Sequence, residues 1–194
     1  CCAACPVNTD TRGYIDLISH GHYQEALKKI KANNPFPSVC SLICHHPCQQ
    51  ECRRKDVDSS LAIRNLKRFV IDHTKDYRQK QRSKAQITQD KTVGIVGGGV
   101  SGLTIAHDCI KQGYAATIYE AKTSLGGMLA NAIPRYRLPY QYLQDDLDDI
   151  LAMGVEVKNN SQVGKNISWE SIKNKHDAIV LALGLSKSRD IDIS

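Results

Sequence analysis

Seven of the eight cysteines, Cys1, Cys2, Cys5, Cys40, Cys44, Cys48 and Cys52, fall within the first 52 of 194 residues. Thiols this crowded either cross-link the chain, hold zinc or hold an iron-sulfur cluster. The chain also carries a nucleotide-binding pattern and shows no secretory signal. Disulfides are therefore the weakest reading, because the cytosol keeps thiols reduced. Cys40, Cys44, Cys48 and Cys52 recur every four residues. Four residues of helix turn through about 400°, so each cysteine drifts ~40° from the last and one straight helix cannot bring all four together. Pro47 argues further against a continuous helix. The spacing suggests thiolates shared among clusters or joined to distant ligands such as Cys1 and Cys5. Cys5-Pro6 adds the ending found in bacterial ferredoxin runs. Zinc stays open, with His45 and His46 as nitrogen donors, but C-x3-C beside a redox nucleotide site favours a cluster over the shorter pairs of zinc fingers. Cys2 is read as an unliganded thiol and Cys109 as a small core residue.

The second chemical signal is glycine. An apolar strand from Val93 to Val96 runs into Gly97-Gly98-Gly99-Val100-Ser101-Gly102, a helical run follows to Gly113, and a second strand ends on Glu120. Gly97 permits the tight turn, Gly99 lets a pyrophosphate approach the backbone, and Gly102 lets helix and strand pack closely. Phosphates would meet a helix N-terminus, and Glu120 would accept a ribose hydroxyl. A glycine motif alone is weak evidence. Here strand, helix and acid all fall where a dinucleotide site needs them.

The elements that must position these residues form two modules. Helical spacing covers Thr11 to Ser19 and His22 to Asn33, with Tyr23, Ala26, Leu27 and Ile30 on one stripe and Pro35-Phe36-Pro37 as a break. After the cysteines, the pattern predicts one long helix from about Ser59 to Lys84. Its expected core face is Ala62, Leu66, Phe69, Val70, His73 and Tyr77, with Arg64, Lys67, Arg68, Lys75, Arg78, Lys80 and Arg82 on the other faces. That basic surface reads first as solvated, and alternatively as a docking face for an acidic catalytic subunit or electron carrier. Ser83 to Asp90 reads as the linker. The rest alternates strand and helix, the signature of a mostly parallel sheet: strands near 92–97, 115–120, 155–158 and 177–183, helices near 100–112 and 139–153. On the last helix Tyr140, Leu143, Leu147, Ile150 and Leu151 form the apolar stripe. Asp145, Asp146, Asp148 and Asp149 read as its solvated outward face, not as a metal site.

Composition is ordinary, at 41% hydrophobic and 24% charged, and the net charge of +6 is local. Residues 53–91 carry twelve Lys and Arg against five Asp and Glu, and the flanking regions nearly balance. A nucleic-acid surface over the whole chain is not what this predicts. No apolar run has the length of a membrane span, and a cytoplasmic location is the expectation.

Several stretches together resemble one family. They are Cys5-Pro6, Tyr14-Ile15, Asn34-Pro35-Phe36-Pro37, Cys44-His45-His46-Pro47-Cys48, Cys52-Arg53-Arg54 and Ala62 to Phe69, followed by the glycine turn, Gly126-Gly127-Met128-Leu129, Ile133 to Pro139, Gly154-Val155-Glu156 and Asp177 to Gly184. The chain resembles the small (beta) subunit of NADPH-dependent glutamate synthase, with similar sequences in the N-terminal part of dihydropyrimidine dehydrogenase and the large subunit of the ferredoxin-dependent transhydrogenase. The resemblance implies an α plus α/β protein: a helical [4Fe-4S] domain over residues 1–88, then a Rossmann-like FAD domain of the glutathione-reductase type over 89–194. It implies FAD on Gly97, Gly98, Gly99, Val100, Ser101 and Gly102, with Glu120 and Ala121 at the adenosine ribose. Further contacts would come from Leu125, Gly126, Gly127, Met128 and Arg137, from Val163 near the adenine, and from Gly184. It also implies one [4Fe-4S] centre on Cys1 and Cys52 and a second on Cys5, Cys44 and Cys48, with Cys40 beside them.

Three departures stand out. The family pattern has a C-x2-C pair upstream of Cys1, places Gln or Glu where Lys67 stands, and often has Pro-Ala where this turn has Val100-Ser101. A protonated lysine cannot ligate iron, which leaves the fourth ligand of the second centre open. The resemblance further implies a longer polypeptide, or one completed by a partner, whose NAD(P)H-binding domain lies beyond these residues. The expected function is an electron-transfer module between NAD(P)H, FAD and [4Fe-4S] clusters, with no side chain required as general acid or base. The alternative is a zinc-stabilised nucleotide-binding scaffold without turnover.

Overall fold

The computed structural model describes residues 1–185. In chain order the elements are α1 (Thr11–Ser19), α2 (Tyr23–Lys31), α3 (Pro37–Ile43), α4 (Pro47–Gln50), a 3-10 turn (Arg53–Asp56), α5 (Ile63–His73) and α6 (Lys75–Lys80). Then come β1 (Thr92–Val96), α7 (Val100–Lys111), β2 (Ala115–Tyr119), α8 (Met128–Asn131), α9 (Tyr140–Ala152), β3 (Glu156–Lys158), α10 (Trp169–Lys173) and β4 (Ala178–Leu181). Two compact units result, Cys1–Ser83 with Ile133–Asp149, and Lys84–Ala132 with Ile150 onward. The sequence draws one boundary at 88/89 and does not anticipate that Ile133–Asp149 joins the first unit. None of the described helices is long and apolar enough to cross a membrane.

In the helical unit, α1 starts because the Asp10 carboxylate accepts the Gly13 N–H at 3.0 Å. Ala26, Leu27 and Ile30 of α2 are buried against it, as is Tyr14, whose hydroxyl donates to the Ile63 carbonyl at 3.2 Å. The predicted long helix is instead α5 and α6, which meet at Thr74. Its hydroxyl donates back to the Val70 carbonyl at 2.7 Å, the type of side-chain bond that bends or interrupts a helix. The buried face also differs. Ile63, Lys67, Val70, Ile71, Thr74 and Arg78 are buried, whereas Ala62 is exposed and Phe69 and His73 lie at the rim in an aromatic group with Tyr23.

That shift has an electrostatic cause. Asp146 and Asp149, expected to face outward, are 0% and 8% exposed at their side chains, and Arg78 binds them at 2.6 and 2.7 Å. Asp146 also accepts the N–H groups of Ser38 and Val39 at 3.1 and 2.9 Å. Those are free first-turn amides of α3, whose first residue is a proline with no N–H to satisfy. Burial pushes the Asp146 carboxyl up, against the pull of Arg78 and the two amides. Burial also opposes ionisation of Asp149, but there Arg78, Lys31 and Arg82 prevail and hold the carboxyl below its ordinary range.

The second unit is a four-stranded parallel sheet in the order β3-β2-β1-β4, with Thr92 opposite Ala115 and Val93 opposite Ala178. Ile95, Leu103, Ala106, Ile110 and Ile118 form its buried centre. Such a strand order reverses between β1 and β4. Ligands of open α/β sheets bind at that reversal, beyond the carboxyl ends of the strands.

Substituting Arg78→Met leaves two buried carboxylates without their shared cation and should cost about 3–5 kcal/mol of stability in urea denaturation followed by circular dichroism. Lys29→Ala breaks only the exposed pair with Asp10 and should cost less than about 1 kcal/mol in the same assay.

Candidate functional site: a thiol cluster and a nucleotide turn

The thiols of the helical unit come from separate segments. Cys40 lies within α3, Cys44 directly follows it, and Cys48 lies in α4. His46 reverses the chain between them in the left-handed conformation, φ 51°, and its N–H donates to the Cys44 sulfur at 3.3 Å. Cys5 donates to the Thr9 hydroxyl at 3.6 Å. Burial pushes the Tyr14 phenol up, and negative charge on Cys48, Cys5, Cys2 and Cys44 adds to that direction. Cys52 is buried and directly precedes the 3-10 turn.

Local bonds divide the thiols by reactivity. Burial alone would raise Cys5, but the Thr9 hydroxyl and N–H, the Val7 N–H and the Lys67 charge outweigh it and hold the thiol below its ordinary range. Burial and the neighbouring Cys44 push Cys48 up, and burial pushes Cys40 up. Cys52 is lowered, chiefly by the Leu61 N–H. Every cysteine is a free thiol. Among the described residues no three His, Cys, Asp or Glu side chains converge on a single metal-ion position. A cubane cluster makes a different demand, since each thiolate binds its own iron corner. The chemistry of the donor set suits it: free thiols on separate segments of one unit, with the His46 N–H already aimed at the Cys44 sulfur.

In the second unit the glycines behave as their positions require. Gly97 has φ +112°, and a Cβ there would lie 2.3 Å from the Ala182 carbonyl oxygen. A Cβ on Gly102 would lie 1.9 Å from the Gly97 oxygen, which fixes the close approach of α7 to β1. Gly99 is different: the nearest heavy atom to a Cβ would be 3.8 Å away, so the packing of this chain does not itself require glycine there. Glu120 closes the turn. One carboxylate oxygen accepts the Gly98 N–H at 2.7 Å and the other accepts the Lys122 N–H at 2.8 Å.

A cavity of about 830 Å³ opens over this turn, lined by Gly97, Gly99, Val100, Ser101, Glu120, Gly127, Met128 and Gly184 among the expected residues. A second cavity of about 630 Å³ takes in Ala121 and Val163 and shares Gly97, Glu120 and Gly184 with the first. Gly98, Gly102, Leu125 and Gly126 shape the turn from behind: the Gly126 N–H donates to the Gly98 carbonyl at 2.8 Å, and Leu125 packs where a Gly98 Cβ would be. Arg137 is exposed and belongs to the helical unit, so neither cavity gathers it. The sequence reading missed Lys122, Ser124 and Asn131 in the first cavity and Trp169 in the second. Lys122 was findable, two residues beyond the acid that ends β2. Trp169, the chain's one tryptophan, lies in a helix that the strand pattern left unnoticed.

The chain thus combines a thiol-rich helical unit with a Rossmann-type nucleotide turn. Comparison with known proteins gives the families. Residues 1–79 match the family model of dihydropyrimidine dehydrogenase domain II, 4Fe-4S cluster, and residues 95–142 match that of the NAD(P)-binding Rossmann-like domain. The chain therefore joins a 4Fe-4S domain of this type to a Rossmann-like domain, as oxidoreductase subunits do. All of it aligns at 40% identity with 29% of the NADPH-Fe(3+) oxidoreductase subunit beta of Geobacter sulfurreducens. It aligns at 35% with 30% of the NADP(+)-dependent formate dehydrogenase subunit beta of Moorella thermoacetica, and at 34% with 47% of the NAD-dependent dihydropyrimidine dehydrogenase subunit PreT of Escherichia coli. The chain spans less than half the length of each of these curated relatives.

Gly102→Ala should destabilise the second unit by about 1–3 kcal/mol through overpacking, and Gly99→Ala by no more than about 0.5 kcal/mol. Thermal denaturation of the two variants side by side checks the difference.

Proposed function

We propose that this chain is an electron-transfer module of an NAD(P)H-dependent oxidoreductase, holding FAD at the glycine turn and [4Fe-4S] chemistry on its cysteines. The observation that carries this is the pairing, in one chain, of free thiols on the N-terminal segment, α3 and α4 with a nucleotide turn whose Gly99 faces open cavity. FAD held there would supply hydride exchange with NAD(P)H and one-electron exchange with an iron-sulfur centre.

The chain's own residues bind and orient. Gly97 to Gly102 present backbone and the start of α7 to a pyrophosphate, with Gly99 leaving the necessary space. Glu120 is already oriented by two backbone N–H groups and keeps lone pairs for a ribose hydroxyl. Ala121 and Val163 line the cavity on the adenine side, and Met128 and Gly184 line the larger one. Cys5, Cys44 and Cys48 are the proposed thiolates of one centre and Cys1 and Cys52 of another, with Cys40 adjacent. The His46 N–H to Cys44 is the kind of bond that tunes a cluster sulfur. The names of the relatives support redox chemistry linked to a nicotinamide nucleotide and a place in a multi-subunit assembly. In this reading the chain exchanges electrons with NAD(P)H and with a partner subunit, in the cytoplasm.

The protein purified without oxygen should show flavin bands and a broad visible absorption that dithionite bleaches. A colourless protein with stoichiometric zinc would instead establish the scaffold reading. Gly99→Ala should keep its fold and bind FAD at least tenfold more weakly by fluorescence titration. Unchanged affinity would remove the glycine turn as the pyrophosphate site.

A further inference from the structure

Trp169 is the chain's one tryptophan and is 40% exposed, although the residue type is on average highly buried. A single exposed aromatic needs no explanation by itself. This one lines the cavity of about 630 Å³ whose walls include Gly97 and Glu120 of the nucleotide turn. Tyr119 lines the same cavity, but it is 1% exposed and its hydroxyl is bonded to His176 Nε2 at 2.8 Å. Trp169 offers the open ring surface.

Local bonds fix it there. Ser168 caps α10, its hydroxyl accepting the Ser171 N–H at 3.1 Å. Trp169 and Ile172, three residues apart, share a face of that helix. Ile172 is fully buried against Val96 and Tyr119, which anchors the helix without the indole. The preceding loop closes on itself: the Gly164 N–H donates to the Ile167 carbonyl and the Asn166 N–H to the Gln162 carbonyl, both at 2.9 Å. Val163 and Trp169 thereby reach the same cavity. The Ser161 N–H donates to the Glu120 carbonyl at 2.8 Å and the Asn160 N–H to the Lys122 carbonyl at 3.1 Å. Those bonds stitch the start of this loop to the acid that ends β2.

Glu120 lines both cavities. A nucleotide whose ribose hydroxyl meets Glu120 sends its phosphates toward the glycine turn, on the side of the larger cavity, and its base to the other side of the sugar. The cavity walled by Val163 and Trp169 is the space on that side. Every base has a flat π-face that an aromatic side chain can stack on, and a purine overlaps an indole over more area than a pyrimidine does. Resting on the proposed FAD site, we infer that Trp169 is a specificity-determining residue whose indole stacks on the adenine and gives the turn its preference for a purine nucleotide.

The test titrates the full chain with ADP and UDP by calorimetry. The two carry the same ribose and phosphates, so the ratio of their affinities isolates the base. The parent should prefer ADP, and Trp169→Ala should weaken ADP about tenfold while leaving UDP within about twofold. Trp169→Phe should keep most of the preference. ADP holds no flavin to accept excitation energy, so in the parent it should change the emission of the single tryptophan with the affinity that calorimetry gives. An unchanged ADP-to-UDP ratio in Trp169→Ala overturns the inference, because a merely structural role weakens both diphosphates alike. Tryptophan emission that saturating ADP leaves unaltered overturns it too. FAD and NADH separate the two dinucleotides that contain this adenosine diphosphate. FAD should bind and lose affinity in Trp169→Ala; NADH binding in its place, with the same loss, would keep the stacking role and overturn the proposed cofactor. If the parent binds none of these nucleotides, the proposed site falls and the inference with it.

Discussion

The buried contact between Arg78 and Asp146 sets the helical unit. Asp146 caps the first turn of α3, and α3 carries Cys40 and ends directly before Cys44. The cap is not local. It comes from a helix more than a hundred residues away in the chain, and Arg78, between them, neutralises its charge and also donates to the Ser38 hydroxyl. A carboxylate buried this deeply persists only where cations and N–H groups saturate it. The thiol geometry therefore inherits its precision from an ionic network that touches no sulfur itself.

The same network explains where the sequence was hard to read. Four aspartates within α9 look like a solvated face, because the helical stripe of Tyr140, Leu143 and Leu147 satisfies the amphipathic pattern without them. A stripe counts apolar residues and cannot register a buried ion pair whose halves lie on different helices. α5 and α6 were misread for the matching reason: Lys67, Thr74 and Arg78 occupy buried positions that periodicity assigns to Leu66, Phe69 and Tyr77. In each case a tertiary partner outweighed the hydrophobic pattern.

The nucleotide turn was legible because its constraints are local. Gly97 needs a positive φ, Gly102 needs to approach a carbonyl, and Glu120 reaches back only to the adjacent turn. Each requirement is met within a strand-turn-helix-strand unit, so residue type and spacing carry it. The thiols were partly legible. Their number and four-residue recurrence ruled out one straight helix, and the break came where Pro47 follows a left-handed His46.

The two sites also differ in how they are built. In the proposed reading the glycine turn would offer a dianionic pyrophosphate neutral backbone and a helix start, leaving space rather than placing a side chain. Its carboxylate, Glu120, is held by N–H groups instead of a cation. A group that binds and leaves, or that must sit in one orientation, is served by such a preorganised neutral cradle. The thiol region is built differently: its sulfurs come from separate segments. The bonds they make are to local groups, Cys5 to the Thr9 hydroxyl and Cys44 to the His46 N–H, so each thiol is oriented by its own short loop and the segments are brought together only by the packing of the helices.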